Sequence, residues 1–455
     1  MAEIGSADRP LRVAIVGAGP SGFYAAAALL APAPGGAARQ VTVDMIDRLP
    51  TPFGLVRGGV APDHQNIKAV IRVYDKTAKN PAFRFLGNVA VGRDVTMDEL
   101  RAAYDQVVLA VGCESANPLG IPGEDLPGSH SATAFVGWYN GHPDHRDRDF
   151  DLSSTTAVVV GVGNVSMDVT RVLVRDRDEL AKTDIAHHAL EQLRQSKVTD
   201  VYVLGRRGPV QAAFSPAEIK EIAELDGVDL VVRPEDLVLD PASEQALASA
   251  EKTVIQNMTF LREVAGRTPT APKRVHLRFL ASPVAIRGSD RVEAVEIGRN
   301  RLEPGGGDLK ARDTGERETI PAGLVFRAVG YRGIQVPGVP FDQKTGTIPN
   351  AGGRVTDGGA PVERTYVVGW AKRGPQGLIG TNRGDSKDTV DRMFDDLPTL
   401  PNVPRAPLAK LDAHAVGWAD WERIDAEEVR RGKDAGKIRE KFSRVAEMLA
   451  ALGRG

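Results

Sequence analysis

The sequence predicts an α/β fold in which two Rossmann-like, three-layer nucleotide-binding domains are built from one chain. Three observations carry this. Two glycine-rich turns, Gly17-Ala18-Gly19-Pro20-Ser21-Gly22 and Gly161-Val162-Gly163-Asn164-Val165-Ser166, each follow a short apolar run. Each turn leads into helical sequence and then a second apolar run, which is a β-α-β start and implies a parallel sheet. The two starts lie 144 positions apart, Gly17 to Gly161, and form no repeat array.

The elements follow in order. Residues 12–17 read as a short buried strand ended by glycine. Residues 21–30, rich in alanine and leucine, read as a helix, and Pro32, Pro34, Gly35 and Gly36 stop it. Residues 41–47 read as the next strand. Residues 156–161 and 200–205 play the same parts in the second start. Two further apolar runs end on glycine, at Gly112 and Gly330. Residues 273–302 alternate as a β-meander, and 304–318 read as a loop rich in glycine and charge. The stretch 420–452 reads as a surface helix, with Phe442, Val445, Leu449 and Leu452 at helical spacing.

Composition narrows the function. At 455 residues the chain holds about three domains' worth of sequence. Lys+Arg is 58 against Asp+Glu 60, a net charge of −2, which argues against a dedicated nucleic-acid binder. The one cysteine, Cys113, can close no internal disulfide and hold no iron–sulfur cluster; an inert packed thiol is expected. The longest apolar run, Phe23 to Ala31, has nine residues against the roughly 20 that spanning needs. Glu3 and Asp8 precede it where a signal peptide would be basic. A soluble, cytoplasmic protein with no membrane partner is the expectation.

The two turns carry the chemistry. A phosphate needs close backbone N–H groups and a helix N-terminus aimed at it, and side chains on the first two glycines would block that approach. The first turn has the added acidic residue, Asp47, at the end of the next strand, 25 positions after Gly22, where it would bond ribose hydroxyls. A capping or turn carboxylate is its other reading. In the second turn Ser166 replaces the third glycine. Its next strand ends in Gly205-Arg206-Arg207-Gly208-Pro209, without an acid at the tip. Arginines there suit a 2′-phosphate, so the second site reads as NADP rather than NAD. Two solvated turn arginines are the alternative. Two dinucleotide sites of different preference suggest a flavin and a pyridine nucleotide.

Longer motifs then resemble a known family. Pro52-Phe53-Gly54-Leu55-Val56-Arg57 with Gly59-Val60-Ala61-Pro62-Asp63-His64, Phe135–Gly141, Gly205–Phe214 and Gly369–Gly377 are similar to the signatures of adrenodoxin-reductase-type NADPH–ferredoxin reductases. The resemblance covers nearly the whole chain. It implies a fold related to the disulfide reductases (glutathione-reductase-like), with the NADP domain inserted into the FAD domain. The boundaries it implies are 1–112 and 331–455 for FAD, the latter with a helical extension, and 113–330 for NADP. FAD would lie along Gly17, Gly19, Pro20, Ser21, Gly22 and Asp47, with Leu55 and Gly112 nearby. The segment Trp370 to Ile379, including Gly377 and Leu378, would close over the flavin ring. NADP(H) would lie along Gly161, Gly163, Asn164, Val165, Arg206 and Arg207, with Glu218 near it. In similar enzymes His64 sits near the flavin and pairs with a glutamate; Glu221 is the choice here, Glu218 the competitor. A structural pair is the other reading, because hydride transfer needs geometry more than acid–base help.

The implied function is a flavoprotein oxidoreductase moving a hydride from NADPH to FAD, then single electrons to a ferredoxin-type iron–sulfur protein, with a monomer favoured. The alternatives are an NADPH diaphorase or quinone-type reductase and, in another class, a non-catalytic nucleotide sensor. No metal is expected. His142-Pro143-Asp144-His145 with Asp147 and Asp149 could ligate one, but a solvated acidic loop is the expected reading.

Overall fold

The computed structural model describes residues 2–32, 39–305 and 308–454, with the side chain at 308 left aside. Pro34, Gly35 and Gly36, expected to stop the first helix, lie outside the described residues. In chain order the elements used below are β1 (Leu11–Val16), α1 (Pro20–Leu29), β2 (Val41–Ile46), α2 (Leu55–Gly58), β3 (Phe83–Leu86), β4 (Gln106–Leu109), β5 (Ser129–Ser131), β6 (Thr156–Val160), α3 (Asn164–Val174), β7 (Asp200–Leu204), α4 (Pro216–Ala223), β8 (Val228–Val232) and β9 (Lys273–Arg278). They continue with β10 (Ala281–Arg287), β11 (Ala294–Gly305), β12 (Asp308–Pro321), β13 (Leu324–Arg327), β14 (Asn350–Ala351), β15 (Arg354–Asp357), β16 (Ala360–Val367), α5 (Trp370–Arg373), α6 (Thr381–Asp395), α7 (Trp418–Asp434) and α8 (Val445–Ala451).

The chain forms two compact units. The first comprises Met1–Val60, His64–Ser115 and Tyr331–Gly455, the second Ala116–Gly330 together with the short strap Ala61–Asp63. The first unit holds a seven-stranded sheet in the order β14-β15-β16-β4-β1-β2-β3. Its five strands from β16 to β3 are parallel, with Ile15 opposite Met45 on one side and Val108 on the other. Val13, Ile15, Val43, Met45 and Val108 are fully buried. Helices cover both faces, so the strands read as near-continuous apolar runs. Each such side chain removed from water contributes about 1.5–3 kcal/mol.

The second unit holds a six-stranded, wholly parallel sheet, order β5-β13-β6-β7-β9-β8. Phe135, Trp138, Phe150 and Phe326 form the aromatic centre of its core. Two sequence expectations change here. β9, expected in a meander, lies between β7 and β8 in the parallel sheet. Residues 304–318, expected as a loop, belong largely to the long antiparallel ribbon β11–β12, paired from Ala294↔Pro321 to Gly305↔Asp308. In the ribbon's far half, 301–305 with 309–313, no described residue is fully buried, so backbone pairing sets its register.

The C-terminal stretch also differs from a single helix. α7 ends at Asp434, and Gly436 at φ +69° turns the chain. The Lys437 N–H then donates to the Gly432 carbonyl at 2.9 Å, the bond that closes a Schellman C-cap. Phe442 therefore lies outside either helix, and the chain becomes helical again only at Val445. Among the described residues no helix is long and apolar enough to cross a membrane.

Candidate functional site

In the first unit β1 delivers the chain to the turn Gly17–Gly22, and α1 begins at once with Pro20 at its first position. Gly17 has φ +109°, and a Cβ there would strike the Ala110 carbonyl oxygen. A Cβ on Gly22 would strike the Gly17 carbonyl, so helix and strand pack at glycine distance. Gly19 is different: nothing lies within 4 Å of where its Cβ would be, and no side chain caps α1. The turn therefore offers open space and a helix N-terminus, which fits a pyrophosphate.

Asp47 braces this turn. Its Oδ2 accepts the Ala18 N–H at 2.8 Å and its Oδ1 the Leu49 N–H at 2.9 Å. Burial raises the carboxyl above its ordinary value, against those two bonds, which favour the charged form. The turn-carboxylate reading of Asp47 thus has a concrete geometry, and each oxygen retains a lone pair for a ribose hydroxyl.

The segment from Gly369 to Ile379 reaches the same turn. A Cβ on Gly369 would collide with Ser21 Oγ. Ser21 is further held by α6: Ser386 Oγ donates to the Ser21 carbonyl at 3.0 Å, and Ser21 Oγ bonds Asn382 Oδ1 at 3.1 Å. Asp385 accepts the Gly369 N–H at 2.6 Å and pairs with Lys372 at 3.0 Å and Arg373 at 3.2 Å. Trp370 donates its indole N–H to the Gln376 carbonyl at 3.2 Å, folding the segment back on itself. Gly377 and Leu378 are exposed, while Ile379 packs on the core. Leu55 is half-buried, and Gly112, at φ +71°, has open space where a Cβ would stand. Asn382, Asp385 and Ser386 carried no signal in the sequence, since each is an ordinary polar residue on a polar helix.

In the second unit β6 leads through Gly161 and Gly163 into α3, and Gly163 again has open space at its Cβ position. Ser166 changes the turn. Its buried hydroxyl accepts the Gly163 N–H at 2.8 Å and donates to the Gly163 carbonyl at 2.7 Å, so one amide of this turn is committed internally. Asn164 Oδ1 accepts the Ser215 N–H at 2.9 Å, tying the turn to the start of α4. Val165 is half-buried. Arg206 is exposed just beyond β7, and its carbonyl is fixed by Asn300 Nδ2 at 2.8 Å; the Arg207 carbonyl is fixed by the Leu280 N–H at 3.0 Å.

The sequence reading missed Arg171. It is fully buried on α3 and donates to Asp63 at 2.7 and 3.1 Å, to Asp168 at 2.7 Å and to Glu218 at 3.0 Å. Arg175 adds contacts to Asp63 at 3.0 Å and to Glu221 at 3.4 Å. Glu218 and Glu221 are therefore part of an arginine-centred cluster in the second unit. His64, expected beside Glu221, is a buried residue of the first unit at the start of the short helix Gln65–Lys68.

The remaining signals are local. His142 Nδ1 accepts the Asp144 N–H and His145 Nδ1 accepts from Arg148. Cys113 is a buried free thiol, and burial pushes its pKa up to about 12.

One sheet is wholly parallel and the other parallel over five of its seven strands, and each opens through a glycine turn into a helix, which is the fold of the two-dinucleotide oxidoreductases. A family model described as pyridine nucleotide-disulphide oxidoreductase matches residues 11–235. NADPH-ferredoxin reductase FprA of Mycobacterium tuberculosis is 48% identical, over 97% of this chain and 99% of that protein. The human mitochondrial NADPH:adrenodoxin oxidoreductase is 43% identical, over 98% of this chain and 93% of its own. The solved structure of Mycobacterium tuberculosis FprA in complex with NADPH superposes with a TM-score of 0.93 at 48% identity, covering 98% of this chain and all of that one. The chain belongs to the adrenodoxin-reductase-type NADPH–ferredoxin reductases.

Proposed function

We propose that the chain is an NADPH–ferredoxin reductase that holds FAD in its first unit and NADP(H) in its second. The observation that carries this is the pair of turns in which Gly19 and Gly163 leave open space at the head of α1 and α3. Kinship over nearly the full length with reductases named for NADPH and ferredoxin or adrenodoxin supports it. When bound, FAD supplies the conversion between two-electron hydride chemistry and single-electron transfer.

The chain's own residues bind, orient and cover. Gly17, Gly19, Pro20, Ser21 and Gly22 cradle the FAD phosphates, and Asp47 meets the ribose while bracing the turn. Leu55, Gly112 and the Trp370–Ile379 segment, with Gly377 and Leu378 at its tip, enclose the ring end. Gly161, Gly163, Asn164 and Val165 receive the NADP phosphates, and Arg206 and Arg207 take the 2′-phosphate by charge-assisted bonds. Glu218 and Glu221 act through the Arg171 cluster, and His64 lines the flavin side. The work is positioning, since nicotinamide and flavin must stack within near-attack distance. The domain limits 1–112, 113–330 and 331–455, a cytoplasmic location, a monomeric state and a ferredoxin as physiological acceptor belong to the same reading.

The test is direct. The purified protein should be yellow, bleach on anaerobic NADPH addition, and recover its absorbance when an oxidised ferredoxin is added. A protein that takes up no FAD refutes the reading. One that reduces quinones but no ferredoxin makes it a diaphorase.

A further inference from the structure

Helix α7 grips both ends of a strained segment that lies on the first glycine turn. Phe53 has φ +83°, a left-handed backbone that a bulky residue adopts only where its surroundings enforce it. Its N–H donates to the Ala18 carbonyl at 2.8 Å, and a Cβ on the next residue, Gly54, would stand 3.0 Å from the Gly19 Cα. The segment thus forms one wall of the turn. At one end the Phe53 ring meets Trp421 edge-on, centroids 5.6 Å apart. At the other end the Arg57 guanidinium lies over the Trp421 ring at 5.3 Å and donates to both oxygens of Glu428, at 2.8 and 2.5 Å.

Glu428 is fully buried and also accepts from Arg439 at 3.0 Å and from the Phe442 N–H at 2.9 Å. Arg439 is shared with Asp425 at 2.6 Å, so two guanidinium groups meet two carboxylates. A buried ion pair contributes little net stability compared with apolar residues of the same volume, but it fixes a geometry, above all when the arginine fork is bidentate. Here the geometry it fixes is that of Arg57, three residues beyond Gly54.

We propose that Glu428 is a positioning residue for the flavin: by holding Arg57 it fixes the Phe53–Arg57 wall against the phosphate turn, coupling the C-terminal helix to cofactor binding. This rests on the first unit's being the FAD site. Neither Glu428 nor Arg57 needs to touch the cofactor; both act through the backbone at Phe53 and Gly54.

The experiment uses the full-length protein, stripped of FAD and reconstituted. Glu428→Gln keeps the side chain's shape and removes its charge, and Arg57→Lys keeps the charge and removes the fork. Both should raise the Kd for FAD by about tenfold or more, since small displacements at a distance are felt strongly by a preorganised site. Both should change the visible circular dichroism of the bound flavin and leave the KM for NADPH unaltered. Asp425→Asn, which touches Arg439 but not Arg57, should leave FAD affinity at the wild-type value. Lowered thermal stability in the two variants, with FAD affinity and flavin dichroism unchanged, would overturn the proposal. If Glu428→Gln does not fold, Arg57→Lys decides by the same two readouts. A wild-type protein that takes up no FAD overturns the cofactor reading itself. FAD uptake with unaffected variants overturns only the clamp.

Discussion

On the proposed function, nucleotide preference in the second unit comes down to two side chains. Arg206 is exposed just beyond β7 and Arg207 follows it, with one carbonyl pinned by Asn300 of β11 and the other by Leu280 between β9 and β10. Losing a hydrogen bond to a charged group costs about 1.5–3 kcal/mol, which is roughly 10- to 150-fold in an equilibrium constant. Arg206→Ala with Arg207→Ala should raise the KM for NADPH by at least the lower figure and hardly move that for NADH. Equal effects on both nucleotides in steady-state assays would refute the 2′-phosphate assignment. His64→Ala should leave FAD bound, because the phosphate turn is built from Gly17, Gly19, Asp47 and Ser21 without it; release of FAD would make its role structural. At this scale the glycine turns of the candidate site were legible, because a helix packed this closely on its strand requires glycine there. Arg171 was not. A lone arginine in the run Val169-Thr170-Arg171-Val172-Leu173 has no periodic signature, and its four carboxylates come from three places in the chain. Glu428 escaped for a related reason: on a helix this rich in charge, a buried carboxylate looks like a solvated one until its distant partner is known.

Elements that bury a face announced themselves, and elements that do not stayed hidden. β1, β2, β6 and β7 are apolar because helices cover both sides of their sheets, so the sequence delimits them within a residue or so. The ribbon β11–β12 is held by its own backbone ladder, and its distal half, where no described residue is fully buried, leaves no strong pattern to read. β5 makes a different kind of prediction. It carries His130 against Phe150, centroids 4.7 Å apart, and Phe326 at 5.9 Å. The His130 Nε2 is buried without a hydrogen-bond partner among the described residues. Burial, helped by the nearby Arg148 and Arg327 and opposed by Asp149, lowers its pKa to about 4. The folded imidazole stays neutral while the unfolded one protonates near pH 6.5, so its contribution is present above that pH and is lost as pH falls towards 4. His130→Phe should flatten the decline in thermal midpoint over that window. An identical slope in the variant would rule out His130 as its source.

For the whole molecule, the single cysteine sets the route of electrons. A chain with one thiol, buried and with its pKa pushed up to about 12, has no cluster, no disulfide and no reactive thiolate to carry charge. On the proposed function every electron therefore passes from NADPH through FAD to a centre that arrives on another protein. Cys113→Ala removes the one sulfur that could compete with this route, and it should leave NADPH-dependent reduction of a ferredoxin within about twofold of wild type, because an inert packed thiol contributes packing alone. A loss of turnover with FAD content and NADPH bleaching intact would place the thiol on the path. The partner's approach is a separate matter from the route. The net charge of −2 gives no long-range field of one sign, so any steering must come from a local patch. Stopped-flow reoxidation of the NADPH-reduced protein by ferredoxin, followed as salt is raised, separates the two cases. A steep fall in the bimolecular rate shows a charged docking face whose potential is screened beyond about 8–10 Å at physiological ionic strength. A flat profile shows apolar docking, and the acceptor-binding surface must then be sought among the exposed apolar side chains, of which Leu378 stands on the segment proposed to cover the flavin.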